Sequence, residues 1–222
     1  MIANPASQPT DTFRTLVDQT LNWVIDLGIN GFGPLPSAIQ VAKDQLAVSQ
    51  TPEAAIDGII FWRTVQAGGT GFCTGLGGIP SLPLMVPASL VTSYALGANT
   101  AAAIAHLRGY DLDRDSVRSF ILLCLMGQAA EEILRNTSIR LGQEVGAAVV
   151  QRISPRAIAA INQRAGFSLL AKTGERGLVN LNKIILPMFG GVVGGCFDAA
   201  YVYTCGHTAK SLFPLPKPAE GF

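Results

Sequence analysis

The chain reads as all-α: a single compact multi-helix bundle around a glycine-rich, charge-free central helical hairpin. Three observations lead there. Apolar residues recur at three-to-four spacing along most of the chain, and no run alternates as a half-buried strand would. Helix punctuation stands at the edges of those runs, as in Thr51-Pro52-Glu53, Ser154-Pro155, and Gly109 following His106 and Arg108. From Thr64 to Ala105 there is no Asp, Glu, Lys, Arg or His. An unpaired charge in a low-dielectric interior costs several kcal/mol, so such a stretch is either deep in the fold or against lipid.

The elements follow in order. Residues 1–9 are expected to be a loose N-terminus. Thr10 or Asp11 can cap a helix carrying Phe13, Leu16, Val17, Leu21, Val24 and Ile25, which Gly28 through Pro36 ends. A second helix is expected over about Ser37 to Val48. Thr51 as N-cap and Pro52 at the first helical position open a third, which runs through Ile56, Ile59, Ile60 and Trp62 into a glycine cluster. Gly78 to Pro87 reads as an irregular connector, and Pro87 opens a helix over about 88–108. There His106 and Arg108 suit the negative helix end and Gly109 the C′ position. Asp113 is expected to cap the next helix, with Val117, Phe120, Ile121, Leu123, Cys124 and Leu125. Helical sequence continues to about Arg152 with a break near Asn136 or Gly142, restarts at Ser154-Pro155, and stops at Gly174. A glycine-rich helix is expected over about 190–212, closing a single domain at 10–213. The tail 214–222, with Pro214, Pro216 and Pro218, cannot be helical.

Composition narrows the class. Charged residues make up 14% of the 222, against roughly 25% in an average soluble protein. Mean hydropathy is +0.36. Both favour membrane association. A net charge of +1 supplies no global field for nucleic acid, and no basic run with interleaved aromatics occurs, so no nucleic-acid partner is expected. Bases outnumber acids between Glu131 and Arg176, where they either favour an anionic leaflet or form a solvated helix face. The four cysteines, Cys73, Cys124, Cys196 and Cys205, lie far apart in apolar sequence and read as small hydrophobes. The opening Met1-Ile2-Ala3-Asn4 lacks the basic start and apolar core of a signal peptide, so a cytoplasmic protein with reduced thiols is expected.

Glycine spacing carries a packing signal. Gly71 and Gly75 stand four apart beside Gly77 and Gly78; Gly97 leads a ridge with Ala101 and Ala105; Gly190, Gly191, Gly194 and Gly195 contain the spacing twice. Small residues four apart share a helix face and let two backbones approach closely, either within one chain or in lipid and between subunits. As a helix, 88–105 would be about 27 Å long, just short of the roughly 30 Å hydrocarbon core. Ser89, Thr92, Ser93, Asn99 and Thr100 dilute its apolarity, so a hairpin dipping into one leaflet fits better than a full span.

The catalytic inventory is thin. There is no His-Glu-x-x-His, Gly-x-Ser-x-Gly or Walker A pattern, and no cofactor or metal is called for. Glu131-Glu132 lacks the histidine that a di-iron helix requires. Asp198 is the exception, an acid inside an apolar helix. It is either a buried acid or cavity-lining group near the His207 face, or an ion-pair or cap acceptor. His106 and His207 complete the weak catalytic candidates.

Several blocks together resemble the EcsC protein family: Thr70-Gly71-Phe72-Cys73-Thr74-Gly75-Leu76-Gly77-Gly78, Leu82-Pro83, Val86-Pro87-Ala88, and Ala103-Ile104-Ala105-His106-Leu107-Arg108-Gly109-Tyr110-Asp111. Leu122-Leu123-Cys124-Leu125-Met126-Gly127 and Gly190-Gly191-Val192-Val193-Gly194-Gly195-Cys196-Phe197-Asp198 continue it. The resemblance covers roughly 50–213. It implies a largely helical, membrane-associated protein, the family being named for a bacterial protein encoded beside an ABC transporter, and it assigns no chemistry. The expected function is therefore that of a cytoplasmic, peripherally associated or shallowly inserted protein. It would bind membrane lipid or assist a membrane protein complex. The alternative is a soluble, hydrolase-like enzyme acting on an apolar or lipid-like substrate through Asp198 and one histidine. A third reading is an oligomer that permeabilises membranes.

Overall fold

The computed structural model describes residues 9–69, 88–127, 129–136, 150, 153–166 and 187–215. These residues are overwhelmingly helical, with no β-strand among them. The helices are α1 (Pro9–Asn30), α2 (Ala38–Ala47), α3 (Pro52–Gly68), α4 (Ala88–Leu107), α5 (Asp115–Cys124), α6 (Ala129–Asn136), α7 (155–166) and α8 (Pro187–Leu212). The connector expected at 78–87, the breaks at Gly142 and Gly174, and the tail beyond Leu215 lie outside the described residues.

α4 is the axis of the bundle. Every residue from Val91 to Ala105 is buried, and α1, α2, α3, α5 and α8 all pack on it. A helix enclosed on all sides tolerates no unpaired charge, which accounts for this half of the uncharged stretch. Its shield is the chain's own helices rather than lipid. Two of the polar residues that dilute α4, Asn99 and Thr100, are ties inside the core. Asn99 is fully buried and donates from Nδ2 to Gly28 O at 2.7 Å and Pro36 O at 3.0 Å. Thr100 Oγ1 donates to Leu96 O one turn back at 2.8 Å. Buried polar groups are tolerable once paired in this way, and of the Asn99 amide only Oδ1 is left without a partner.

Local signals are realised where they are strongest. Ser37 Oγ accepts the Gln40 N–H at 3.2 Å and Thr51 Oγ1 accepts the Ala54 N–H at 3.1 Å, each as an N-cap. Ser154 Oγ plays the same part for the Ala157 N–H at 3.3 Å. α4 ends in a Schellman motif: the Tyr110 N–H reaches Ala105 O and the Gly109 N–H reaches His106 O, with Gly109 at φ 77°.

α1 ends at Asn30, within the stretch 28–36 expected to end it, but two capping expectations need correction. Thr10 and Asp11 do not cap α1, since the helix already begins at Pro9. A Cβ at Gly28 would lie 2.5 Å from Ala98 Cβ and 2.8 Å from the Asn99 backbone nitrogen, so this glycine lets α1 and α4 touch. The stop is Gly31, at φ 78°. Asp113 does not cap α5; its N–H is taken by Asp111 Oδ1 at 3.1 Å, and the helix starts at Asp115 after Arg114. The helical run beyond Cys124 breaks before Asn136, in the turn 125–127. Tyr201 of α8 donates its hydroxyl to Leu125 O at 3.1 Å, and Thr204 packs on Gly127.

Candidate functional site

Pairwise contacts fix helix direction. Ser93 meets Asp198, Gly97 meets Tyr201 and Cys205, and Arg108 meets Lys210 and Phe213, so α4 and α8 run parallel. Lys210 pairs with Asp57 at 2.6 Å and Gly206 faces Ile60, so α3 runs against both. The C-terminal end of α3 and the N-terminal ends of α4 and α8 therefore share one end of the bundle. Residues 64–69, 88–98 and 187–197, which form those ends, contain no Asp, Glu, Lys, Arg or His. Glu53, Asp57, His106, Arg108, Asp111 and Lys210 gather toward the other end. On α3, α4 and α8, charge is thus concentrated toward one end, with Arg63 and Asp198 the ionisable groups of these helices nearest the other.

Between the ends runs an exposed seam. On α3, Asp57, Phe61 and Val65 stand four apart and all are exposed. On α8, Lys210, His207, Tyr203, Ala200 and Cys196 follow one another at three or four residues and, apart from half-buried Lys210, are exposed. The Asp57–Lys210 ion pair puts both stripes on the same side and in the same register. From that pair the seam turns apolar toward the uncharged end. Phe61 is 59% exposed, Trp62 61%, Val65 50%, Tyr203 51% and Phe197 64%. Phe61 and Trp62 meet edge to face at 5.3 Å. These exposed aromatics were visible in the sequence: Ile59-Ile60-Phe61-Trp62 is one more continuous apolar run than a single inward face holds.

The sequence candidates are placed as follows. Asp198 is half-buried and accepts a hydrogen bond from Ser93 Oγ at 2.9 Å. His207 is exposed and its ring lies 4.3 Å from that of Tyr203. His106 sits in the last turn of α4, near the far end of the bundle. Asp198 is about 13 Å along α8 from His207, and its partner Ser93 is about 20 Å along α4 from His106. The three do not converge on a reaction centre.

Gly97 is a packing residue within the chain: a Cβ there would lie 3.1 Å from Cys205 Sγ and from Leu125 Cδ2. Gly206, which no spacing singled out, is as tight, with Ile60 Cγ1 2.7 Å from a notional Cβ. Gly190, Gly191, Gly194 and Gly195 fall in the N-terminal half of α8, while Gly71, Gly75, Gly77 and Gly78 lie outside the described residues.

Two buried cations have different fates. Arg108, 7% exposed, donates to Lys210 O at 2.7 Å and to Phe213 O, and pairs with the Glu53 carboxylate at 2.9 and 3.1 Å. It caps the last carbonyls of α8 from a neighbouring helix. Arg63, 6% exposed near the uncharged end, donates to Gln66 Oε1, and burial pushes its guanidinium down to about 10. Cys124 and Cys205 are buried free thiols, the Cys124 thiol being pushed well up by burial and then by Cys205, whereas Cys196 is exposed. Among the described residues no three His, Cys, Asp or Glu gather as a metal site, and no helix is long and apolar enough to cross a membrane.

The fold and this face define an all-helical protein in which α3, α4 and α8 share one charge-rich and one charge-poor end, with an aromatic seam between. Comparison with protein-family models finds no match to the chain, and comparisons with curated proteins and with solved structures find none.

Proposed function

We propose that this protein is a lipid-binding helical protein that docks on a membrane surface through the α3–α8 seam and the uncharged end. In that position it can serve as an accessory to a membrane transport complex. The observation that carries the reading is the exposed Phe61–Trp62–Val65–Tyr203–Phe197 surface, which adjoins helix ends without ionisable groups. Trp, Tyr and Phe favour the headgroup boundary, where an apolar ring and a polar rim are both satisfied. The seam has that polarity, with the Asp57–Lys210 pair and His207 toward water and the aromatics beyond them. The resemblance to the EcsC family points the same way.

The occupant is lipid, and docking is superficial. The test is co-sedimentation with vesicles of neutral and of anionic phospholipid. Trp62→Ser combined with Phe61→Ser should weaken partitioning by about 1–2 kcal/mol per ring, roughly five- to thirtyfold each. Because both side chains are exposed, the urea midpoint should stay unchanged. Wild-type protein that stays in the supernatant with every vesicle composition overturns the reading.

A further inference from the structure

Which headgroup the seam meets follows from the charges that flank it. α3 and α8 together hold five Asp, Glu, Lys or Arg residues: Glu53, Asp57, Arg63, Asp198 and Lys210. Only two are cations. Arg63 lies on the inward face of α3 with Ile56, Ile59 and Ile60 and is almost fully buried. Lys210 is half-buried and held by Asp57 at 2.6 Å and by Glu53 at 3.7 Å. Arg108, buried behind the cluster, pairs with the same Glu53. Two carboxylates and two bases thus cancel, and neither base stands free for a lipid phosphate. A surface that prefers anionic lipid needs unpaired cations, each Lys or Arg at the headgroups being worth roughly fivefold in partitioning. Among the described residues, α3 and α8 offer none.

The seam offers ring faces instead. Phe61, Trp62 and Tyr203 are each more than half exposed. The face of an aromatic ring carries negative quadrupole density and attracts an ammonium or quaternary ammonium, with Trp the strongest. In a zwitterionic phospholipid the ammonium ends the headgroup, at the depth where docked Trp and Tyr rings lie.

We propose that the seam selects zwitterionic phospholipid, seating the headgroup ammonium against the faces of Phe61, Trp62 and Tyr203, and gains nothing from anionic lipid. This selectivity rests on membrane docking by the seam and adds the identity of the headgroup to it.

The probes are vesicles of phosphatidylcholine and vesicles of the same acyl chains in which half the lipid is phosphatidylglycerol. Co-sedimentation is run at low salt and at about 0.5 M salt, where surface charges are screened. Partitioning onto pure phosphatidylcholine should be about two- to fivefold the stronger at low salt, the worth of one exposed ring–cation contact, and should not fall at high salt. The triple variant Phe61→Leu, Trp62→Leu, Tyr203→Leu keeps an apolar surface but removes the ring faces. It should bind the two vesicle types equally, with the urea midpoint showing it folded. Equal or stronger wild-type partitioning onto the phosphatidylglycerol vesicles, binding to phosphatidylcholine that is lost at high salt, or a preference that survives in the folded triple variant overturns headgroup selection and leaves membrane docking standing. Failure of the wild type to bind either vesicle overturns both.

Discussion

Arg108→Met isolates one long-range tie. The methionine replaces most of the hydrophobic stem, so the change removes charge and hydrogen bonds while opening little space. In the native protein the guanidinium serves the α8 carbonyls of Lys210 and Phe213 and the Glu53 carboxylate. The Glu53 side chain is 41% exposed and recovers water when Arg108 is lost, so that pair is worth only about 1 kcal/mol. The α8 carbonyls fare worse. The bond to Phe213 O is buried and that to Lys210 O partly so, and each acceptor left unpaired costs about 1–3 kcal/mol. The expected loss is about 3–4 kcal/mol, near the low end of the range for breaking a buried ion pair. For a chain of this size that lowers Tm by roughly 10 °C. Urea unfolding followed by circular dichroism should show a lower midpoint with an unchanged slope. Arg108→Lys should recover only part of the loss, because one ammonium cannot span both acceptors and the carboxylate. A loss under about 1 kcal/mol in Arg108→Met would refute the assignment of this side chain as the cap of α8.

Two further outcomes test the core. Asn99→Leu leaves Gly28 O and Pro36 O without their donor and should cost about 2–3 kcal/mol by urea titration; a neutral result would mean that these carbonyls find other partners. Arg63→Met should instead stabilise the protein by about 1–3 kcal/mol at pH 7, because burial lowers the native guanidinium from its ordinary value to about 10. The sign follows from proton binding. Between those two values the unfolded chain holds the proton more tightly, so this group's penalty shrinks only as pH rises above about 10 and is constant below it. Wild type and Arg63→Met should therefore give parallel stability curves from pH 6 to 9, and crossing curves would refute this.

Much of the helical framework was legible in the sequence. Ser37, Thr51 and Ser154 each carry a side-chain oxygen that accepts an N–H three residues on, and that chemistry operates within one turn. The Gly109 stop is local in the same sense. The missing charge from Thr64 to Ala105 marked the α4 half as shielded, because desolvating an ion is costly in any fold. It did not say what the shield was, since lipid and neighbouring helices exclude charge alike.

The remaining features depend on residues far apart in the chain. Gly28 resembles a helix stop until Ala98 and Asn99 come against it. The run through Leu125 resembles a continuing helix until Tyr201 and Thr204 cross it. Arg108 looks like an end-of-helix cation, yet its carbonyl acceptors lie more than a hundred residues away. Turn chemistry and hydrophobic period act over a few residues, so one strand of text contains them. Close approach, trans capping and enclosure are relations between surfaces, and they come into being only when the helices pack.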